Sequence, residues 1–454
     1  MKKKTLFLIA LLGMSLNITF AQSDQLPETD PVITNRISQW QDLKFGFMMH
    51  WGMYAQWEVV ESWSICNEPW INRDGADYYQ YKTDYQNLNK TFNPQHFDPS
   101  KWADAAKEAG MKYVVFTTKH HDGFCMFDSK YTDYKITNTP YGKDVTRMLA
   151  EAFRAAGLKI GFYHSLPDWT HPGYADEESP EFIQHKVLHT PTPEQRRAFL
   201  DYLYNNVEQL MTGYGKIDLL FFDYTSRTKA GIDYFGRDRL LEMIYRHQPD
   251  ILVNDRLAYY KDDVRDFDYY TPEVAVMNQP ILVKGREAVW ETCATMNGSW
   301  GYTEGSDRYK DIHAITSALM GCVSNNGNLL LNVGPDPAGN IPDGAVNSLK
   351  KLAEWNRFNG EAVAGCGQSE FQAPFGTCYT QKDNVIYCYL LTAPLGDLIL
   401  PGLRDKVEKI TMLRTGDDVK IIMPWGYELL KKDDLRTRPQ PSMAGDVLKI
   451  ELKA

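Results

Sequence analysis

The stretch Lys216–Arg227, KIDLLFFDYTSR, decides how this chain is read. From Ile217 to Phe222 it is apolar except for Asp218, and it stops abruptly at the carboxylate of Asp223. A short run of this kind fits a strand covered on both faces, as in a parallel sheet flanked by helices. In such sheets ligands bind where the carboxyl ends of the strands emerge, which makes Asp223 the first candidate for a chemical role. A lone acid there would serve equally to cap the turn or to pair with Arg227, so the rest of the chain has to decide.

Moving outward from this strand, the same order of helix, apolar run and polar tip recurs. Phe45 to Met49 ends in His50, Trp51 and Gly52; Lys112 to Thr118 ends in Lys119, His120, His121 and Asp122; Lys159 to Tyr163 ends in His164 and Ser165. Beyond Asp223, the runs Ile251 to Val253, Phe267 to Tyr270, Ala288 to Trp290 and Leu329 to Leu331 end near Asn254, Asp255 and Arg256, Glu273, Glu291 and Asn332. Helices are expected from Asp98 to Gly110, where Asp98 and Pro99 are start signals, and over 144–156, 193–212 and 344–358. Eight strands, most of them separated by helices, predict a distorted (β/α)8 TIM-like barrel over residues 22–362. Helical signals are weak between Arg256 and Ala288, hence "distorted"; no GxGxxG follows any strand, which argues against a Rossmann-type open sheet. From about Cys366 the period changes to short alternating runs separated by turn residues, which predicts a C-terminal antiparallel β-sandwich over 363–454.

The chain has 454 residues, 43% hydrophobic and 24% charged, the composition of a globular protein with a large core. Lys2, Lys3 and Lys4 precede the apolar run Leu6 to Leu12, and the segment ends in Thr19, Phe20 and Ala21, so residues 1–21 read as a signal peptide. Its loss would remove three lysines and move the net charge from −10 to −13. An acidic, exported product, periplasmic or extracellular and without an integral membrane segment, is a poor partner for nucleic acid. Seven cysteines without a CxxC imply no disulfide framework; export would permit a Cys366–Cys378 bridge, which spacing alone does not decide. The sequence leaves the number of subunits open.

Gathered at one mouth, the strand tips offer His50, His120, His121, His164, Asp223, Asn254, Asp255, Arg256, Glu273 and Glu291. Facing carboxylates among imidazoles and aromatics are what glycoside hydrolysis requires: one attacks the anomeric carbon and the other protonates the leaving oxygen. A metal pair at His120 and His121 is not expected, because neighbours along a strand point to opposite faces and no HxH or HExxH accompanies them. No GxSxG marks a serine nucleophile.

These residues also carry a family resemblance. FGFMMHWGMYA (Phe45 to Ala55), TKHHDGF (Thr118 to Phe124), GFYHSLPDW (Gly161 to Trp169), VNDR (Val253 to Arg256), YYTPE (Tyr269 to Glu273), WETC with SWGY (Trp290 to Tyr302) and NLLLNVGP (Asn328 to Pro335) resemble, in that order, the α-L-fucosidases of glycoside hydrolase family 29. The resemblance runs from about Trp40 to Gly360. It implies a retaining, exo-acting α-L-fucosidase that acts on a fucosylated oligosaccharide or glycoconjugate and needs neither metal nor organic cofactor. The nucleophile would be Asp223, in FFDY, where relatives usually have Gly in the place of Tyr224. His50, His120, His121 and His164 would bind the sugar, as would Glu68 and Trp70 in NEPW, which stands for the usual SEWY. Glu273, in TPE, would be the acid/base, with Glu291 in WETC as the rival or as a residue orienting its neighbours. An α-L-galactosidase, differing by one hydroxyl on the sugar, and an inactive glycan-binding protein are the alternatives.

Overall fold

The computed structural model describes residues 31–66, 73, 75–174, 191–224, 235–257, 268–277, 279–283, 286–303, 305–422, 432–441 and 443–453. The segment expected to be a signal peptide, and Glu68 and Trp70, lie outside the described residues.

The apolar runs form the strands β1 (Phe45–Met49), β2 (Tyr113–Lys119), β3 (Lys159–Ser165), β4 (Leu219–Asp223) and β5 (Leu252–Val253); a small antiparallel hairpin, β6 (Leu282–Val283) and β7 (Arg286–Glu287), precedes β8 (Trp290–Thr295) and β9 (Gly327–Val333). Without the hairpin they make one seven-stranded parallel sheet in the order β5-β4-β3-β2-β1-β9-β8. Residues 269–273 close it. Asn254 bridges to Tyr269 on one side, and Tyr270 and Glu273 bridge to Trp290 and Cys293 on the other, all parallel. This segment is the eighth wall of the expected barrel, held by isolated bridges and not by a continuous ladder.

Helices α3 (Pro99–Glu108), α4 (Val145–Ala155), α5 (Pro193–Gly213) and α8 (Asp343–Asn359) fall where the sequence places them. Asp98 caps α3 by accepting the N–H groups of Ser100 and Lys101 behind Pro99, and Thr192 with Gln195 forms a capping box on α5. The helices α2 (Tyr78–Gln86), α6 (Arg237–His247) and α7 (Ile312–Val323) complete the surround. The polar lead-in before Phe45 includes one more: α1 (Pro31–Gln41) lays Ile37 and Trp40 against the barrel's interior cluster, the Trp40 ring 4.4 Å from that of Tyr269 and 6.2 Å from that of Tyr113.

Strand parity then assigns every tip residue a face. Met48, Val115, Tyr163, Leu219, Phe221, Cys293 and Leu330 belong to the interior cluster, whereas Phe47, Phe116, Phe162, Leu220 and Phe222 pack outward in the larger core that includes the helices. Counting two residues on from the interior members places His50, Ser165 and Asp223 on the inner face, and leaves His164 on the outer one.

The remaining strands are antiparallel: β10 (Gly367–Gln368), β11 (Thr377–Lys382), β12 (Val385–Leu390), β13 (Leu398–Leu400), β14 (Val407–Met412), β15 (Lys420–Ile421), β16 (Leu435–Arg438) and β17 (Val447–Leu452). They form a five-stranded sheet, β10-β11-β12-β17-β14, and a three-stranded one, β13-β16-β15, around a core that includes Ile386, Cys388, Leu400, Ile410 and Ile450. The sandwich packs directly on the barrel's helices: Tyr389 OH lies 2.7 Å from Thr316 Oγ1, and Trp355 donates to the Gly445 carbonyl at 3.1 Å. Cys366 and Cys378 remain separate thiols.

Candidate active site

At the end of β4 the carboxylate of Asp223 is 17% exposed and surrounded by donors. Arg256 Nη1 donates to its Oδ1, Tyr163 OH donates to its Oδ2, and the N–H of Tyr224 turns back onto Oδ1 at 2.8 Å. His121 Nε2 stands 3.8 Å from Oδ2. Burial pushes this carboxyl up, but Arg256, His121 and the two hydrogen bonds outweigh it and hold the group down at about 2. The acid is therefore ionised near neutral pH, which is the state a nucleophile needs.

The backward turn of the Tyr224 N–H requires φ of +68° at Tyr224. A non-glycine residue pays roughly 1 to 2 kcal/mol for such a left-handed conformation. A glycine would take this conformation without that cost. Tyr224 stays at that cost and sets its ring 5.6 Å from that of His121.

Arg256 reaches further. Its Nη2 donates to Glu273 Oε2 at 2.9 Å, while Nε donates to Thr271 Oγ1 at 3.2 Å. One guanidinium thus grips Asp223 with one terminal nitrogen and Glu273 with the other, in the fork geometry that suits arginine and not lysine. Glu273 is 45% exposed, on the open side of the mouth, and Val274 behind it adopts φ of +55°. One guanidinium that contacts both carboxylates holds them near each other at the same mouth.

His50, His120 and His121 join this centre. The His50 and His120 rings lie 5.5 Å apart, and those of His120 and His121 4.2 Å apart. The adjacent pair does not diverge as strand neighbours would, because β2 ends at Lys119 and both histidines sit in the turn beyond it. With Asp223 they form a group whose ligand atoms lie within 4.8 Å of one another, the one such cluster among the described residues that could hold a metal ion. Asp223 is already occupied by Arg256, Tyr163 and the Tyr224 N–H, so a cation there would have to displace a guanidinium. Aromatic walls complete the mouth: Trp63 and Trp169 lie 5.8 and 4.8 Å from His121, Trp300 5.1 Å from His50 and Tyr54 6.0 Å from His120.

Two residues expected here lie elsewhere. His164 faces outward from β3, fully buried, its ring 6.4 Å from that of Phe127. Glu291 is the second residue of β8 instead of the tip of a strand, because the ladder begins at Trp290, opposite Gly327. It points inward two residues below Cys293, in the lower layer of the barrel, where Tyr113 OH donates to it. The mouth holds a residue that the sequence reading passed over. Glu61, 2% exposed, accepts the N–H groups of Gly301 and Trp300; burial pushes its carboxyl up to about 7, with the Glu273 charge adding to the rise. Its signal was the ESW of Glu61 to Trp63, a near match to the family's SEWY that lies closer to His50 than NEPW does.

Paired carboxylates bridged by an arginine at the mouth of a TIM-like barrel, walled by imidazoles and indoles, define a glycoside hydrolase. Residues 13–361 match the Alpha-L-fucosidase family, and the chain belongs to it. The tissue alpha-L-fucosidase of Macaca fascicularis is 30% identical over 437 residues, covering 91% of this chain and 89% of its own. Alpha-L-fucosidase isoenzyme 1 from Paenibacillus thiaminolyticus superposes with a TM-score of 0.82 at 35% identity, covering 93% of this chain and 100% of its own. An alpha-L-fucosidase of Bacteroides thetaiotaomicron, solved as a trapped covalent intermediate with 2-fluoro-fucosyl fluoride, superposes at 0.78 with 25% identity, over 96% of this chain and 99% of that one.

The place of Glu291 leads to a pH prediction. Burial pushes its carboxyl up to about 8 from the usual 4.5, with the Tyr113 hydrogen bond opposing. Folding thus favours the protonated form. The stability this contributes is complete below the unfolded value and is lost as pH rises toward the folded one. Glu291→Gln keeps a neutral group of the same shape and escapes that loss. Its melting temperature relative to the parent should rise between about pH 5 and about pH 8, with turnover kept within about tenfold. A larger loss of turnover would return Glu291 to the catalytic machinery.

Proposed function

We propose that this protein is an exported, retaining, exo-acting α-L-fucosidase in which Asp223 is the nucleophile and Glu273 the acid/base. The observation that supports it is the Arg256 fork, with one carboxylate ionised at the end of β4 and the other open to solvent where a leaving group would depart. Asp223 attacks C1 of the fucosyl residue with a carboxylate lone pair, the bond from C1 to the glycosidic oxygen breaks, and Glu273 gives that oxygen its proton. Water then gives a proton to Glu273 and attacks C1, releasing fucose and restoring Asp223. His50, His120 and His121 hold the sugar's hydroxyls, and Trp63 stands where an aromatic wall would meet the ring. The scheme needs neither metal nor organic cofactor. Export rests on the sequence of residues 1–21 alone.

Aryl α-L-fucoside and aryl α-L-galactoside, hydrolysed side by side and followed by proton NMR, test the reading. The fucoside should turn over faster, and the first sugar released should keep the α configuration. First release of the β anomer, or preference for the galactoside, would overturn it.

A further inference from the structure

Resting on the reading of the histidines as sugar-binding groups, the donor and acceptor pattern that they present can be worked out from the groups behind them. A neutral imidazole carries one N–H, so a partner that fixes Nδ1 fixes Nε2 as well. Behind His120 stands Ser62, whose Oγ is 2.6 Å from Nδ1. That oxygen already receives the N–H of Asp122 at 3.0 Å. Ser62 is fully buried, and Nδ1 is the acceptor within reach of its hydroxyl proton. An O–H left without a partner in such a place would be costly, so Ser62 donates to Nδ1 and the proton of His120 sits on Nε2.

Behind His121 the direction is reversed. Ser165 Oγ lies 2.6 Å from Nδ1 but also 2.9 Å from the Pro167 carbonyl. A carbonyl can only accept, and if the hydroxyl proton went to Nδ1, two bare oxygens would face each other at that distance. Ser165 therefore donates to Pro167 and receives the N–H of His121 Nδ1, so Nε2, which stands 3.8 Å from Asp223 Oδ2, carries a proton only when His121 is charged. His50 follows the same logic through an amide. Asn332 Nδ2 donates to the Trp300 carbonyl at 2.6 Å, so Oδ1 faces His50 Nδ1 at 2.8 Å and takes its N–H. Burial holds His50 down at about 4 and His120 well below the ordinary imidazole range, so both are neutral near pH 7.

We infer that Ser62 and Ser165 are positioning residues that set the adjacent histidines in opposite tautomers, His120 presenting an Nε2–H donor to the sugar and His121, when neutral, presenting an Nε2 acceptor. With His50 a second acceptor, a hydroxyl that meets His50, or His121 when that ring is neutral, must donate, and the one that meets His120 must accept. A pocket of three imidazoles thereby reads hydroxyl direction as well as hydroxyl position. The same assignment bears on the metal question, because a protonated His120 Nε2 has no lone pair to offer a cation.

Protein labelled with 15N in its 10 histidines, observed without sugar by two-bond proton–nitrogen correlation near pH 7, tests this directly. His120 should show the Nε2–H pattern, and His121 a protonated Nδ1. Ser62→Ala should collapse the His120 signature to a mixture or to Nδ1–H, and should lower kcat/KM for an aryl α-L-fucoside on the order of tenfold, the worth of one well-placed hydrogen bond. An Nδ1–H pattern for His120 in the parent protein would overturn the inference, whether or not the variant folds. So would a Ser62→Ala enzyme with unchanged tautomer and unchanged kcat/KM. Because the tautomers are read without substrate, absence of fucoside turnover would refute the proposed function and leave this result standing.

Discussion

Asp223→Gly should lower hydrolysis of an aryl α-L-fucoside by roughly four orders of magnitude or more, as removal of a nucleophile does. The fold should survive, because Asp223 is 17% exposed and Arg256 keeps Glu273 as a counterion when it goes. The substitution also clears a space beneath the anomeric carbon, lined by the Arg256 guanidinium, the Tyr163 hydroxyl and the Tyr224 N–H. An azide ion suits that space in charge and in size. Azide should therefore restore turnover on an activated fucoside, and the product should be the β-fucosyl azide, since the anion attacks from the face that Asp223 had used. Turnover close to the parent's would rule out Asp223 as nucleophile; an α-azide would place the attacking group on the other face.

Glu273→Ala should give the second largest effect, and one that depends on the substrate. A general acid contributes most when the leaving oxygen is poor, so fucosyl oligosaccharides should lose about a thousandfold in kcat/KM. An aryl fucoside with a good leaving group should lose about tenfold or less in the first step, with azide accelerating the second. Equal losses on both substrates would mean that Glu273 only holds Arg256 in place. The acid would then have to be sought among the other carboxyls of the mouth, beginning with Glu61, whose carboxyl is raised to about 7.

Much of this centre was legible in the sequence because parallel strands are apolar and end where the chemistry begins. Eight runs were visible as runs, and Asp223 was visible as the place where one of them stopped. Alternation carried further information that counting tips ignored. With Tyr163 and Asp223 both inside, His164 had to face outward, and its buried ring on Phe127 follows from period-two geometry alone. Glu291 was misplaced for another reason. The apolar residues Ala288 to Trp290 look like a strand of their own, but the ladder starts only at Trp290, whose indole lies where a side chain on Gly327 would be. Which residue of an apolar run first pairs is decided by its neighbour, and that neighbour is far away in the chain. The Arg256 fork was out of reach for the same reason, since it joins β4 to the segment beyond β5 through side chains that no local pattern connects.

The seam at residues 269–273 has a consequence for descent. Inserting one residue into β4, paired along its length with β3, would turn every side chain behind it to the opposite face and carry Asp223 out of the mouth. A chain that keeps Asp223 in the mouth must keep that strand's length. The wall bearing Glu273 is joined to its neighbours by single bridges at Tyr269, Tyr270 and Glu273, so length gained or lost between Arg256 and Tyr269 is absorbed without shifting a ladder of the parallel sheet. The carboxylate of Asp223 is thereby tied to a fixed place in the chain, whereas that of Glu273 is tied only to a place in space.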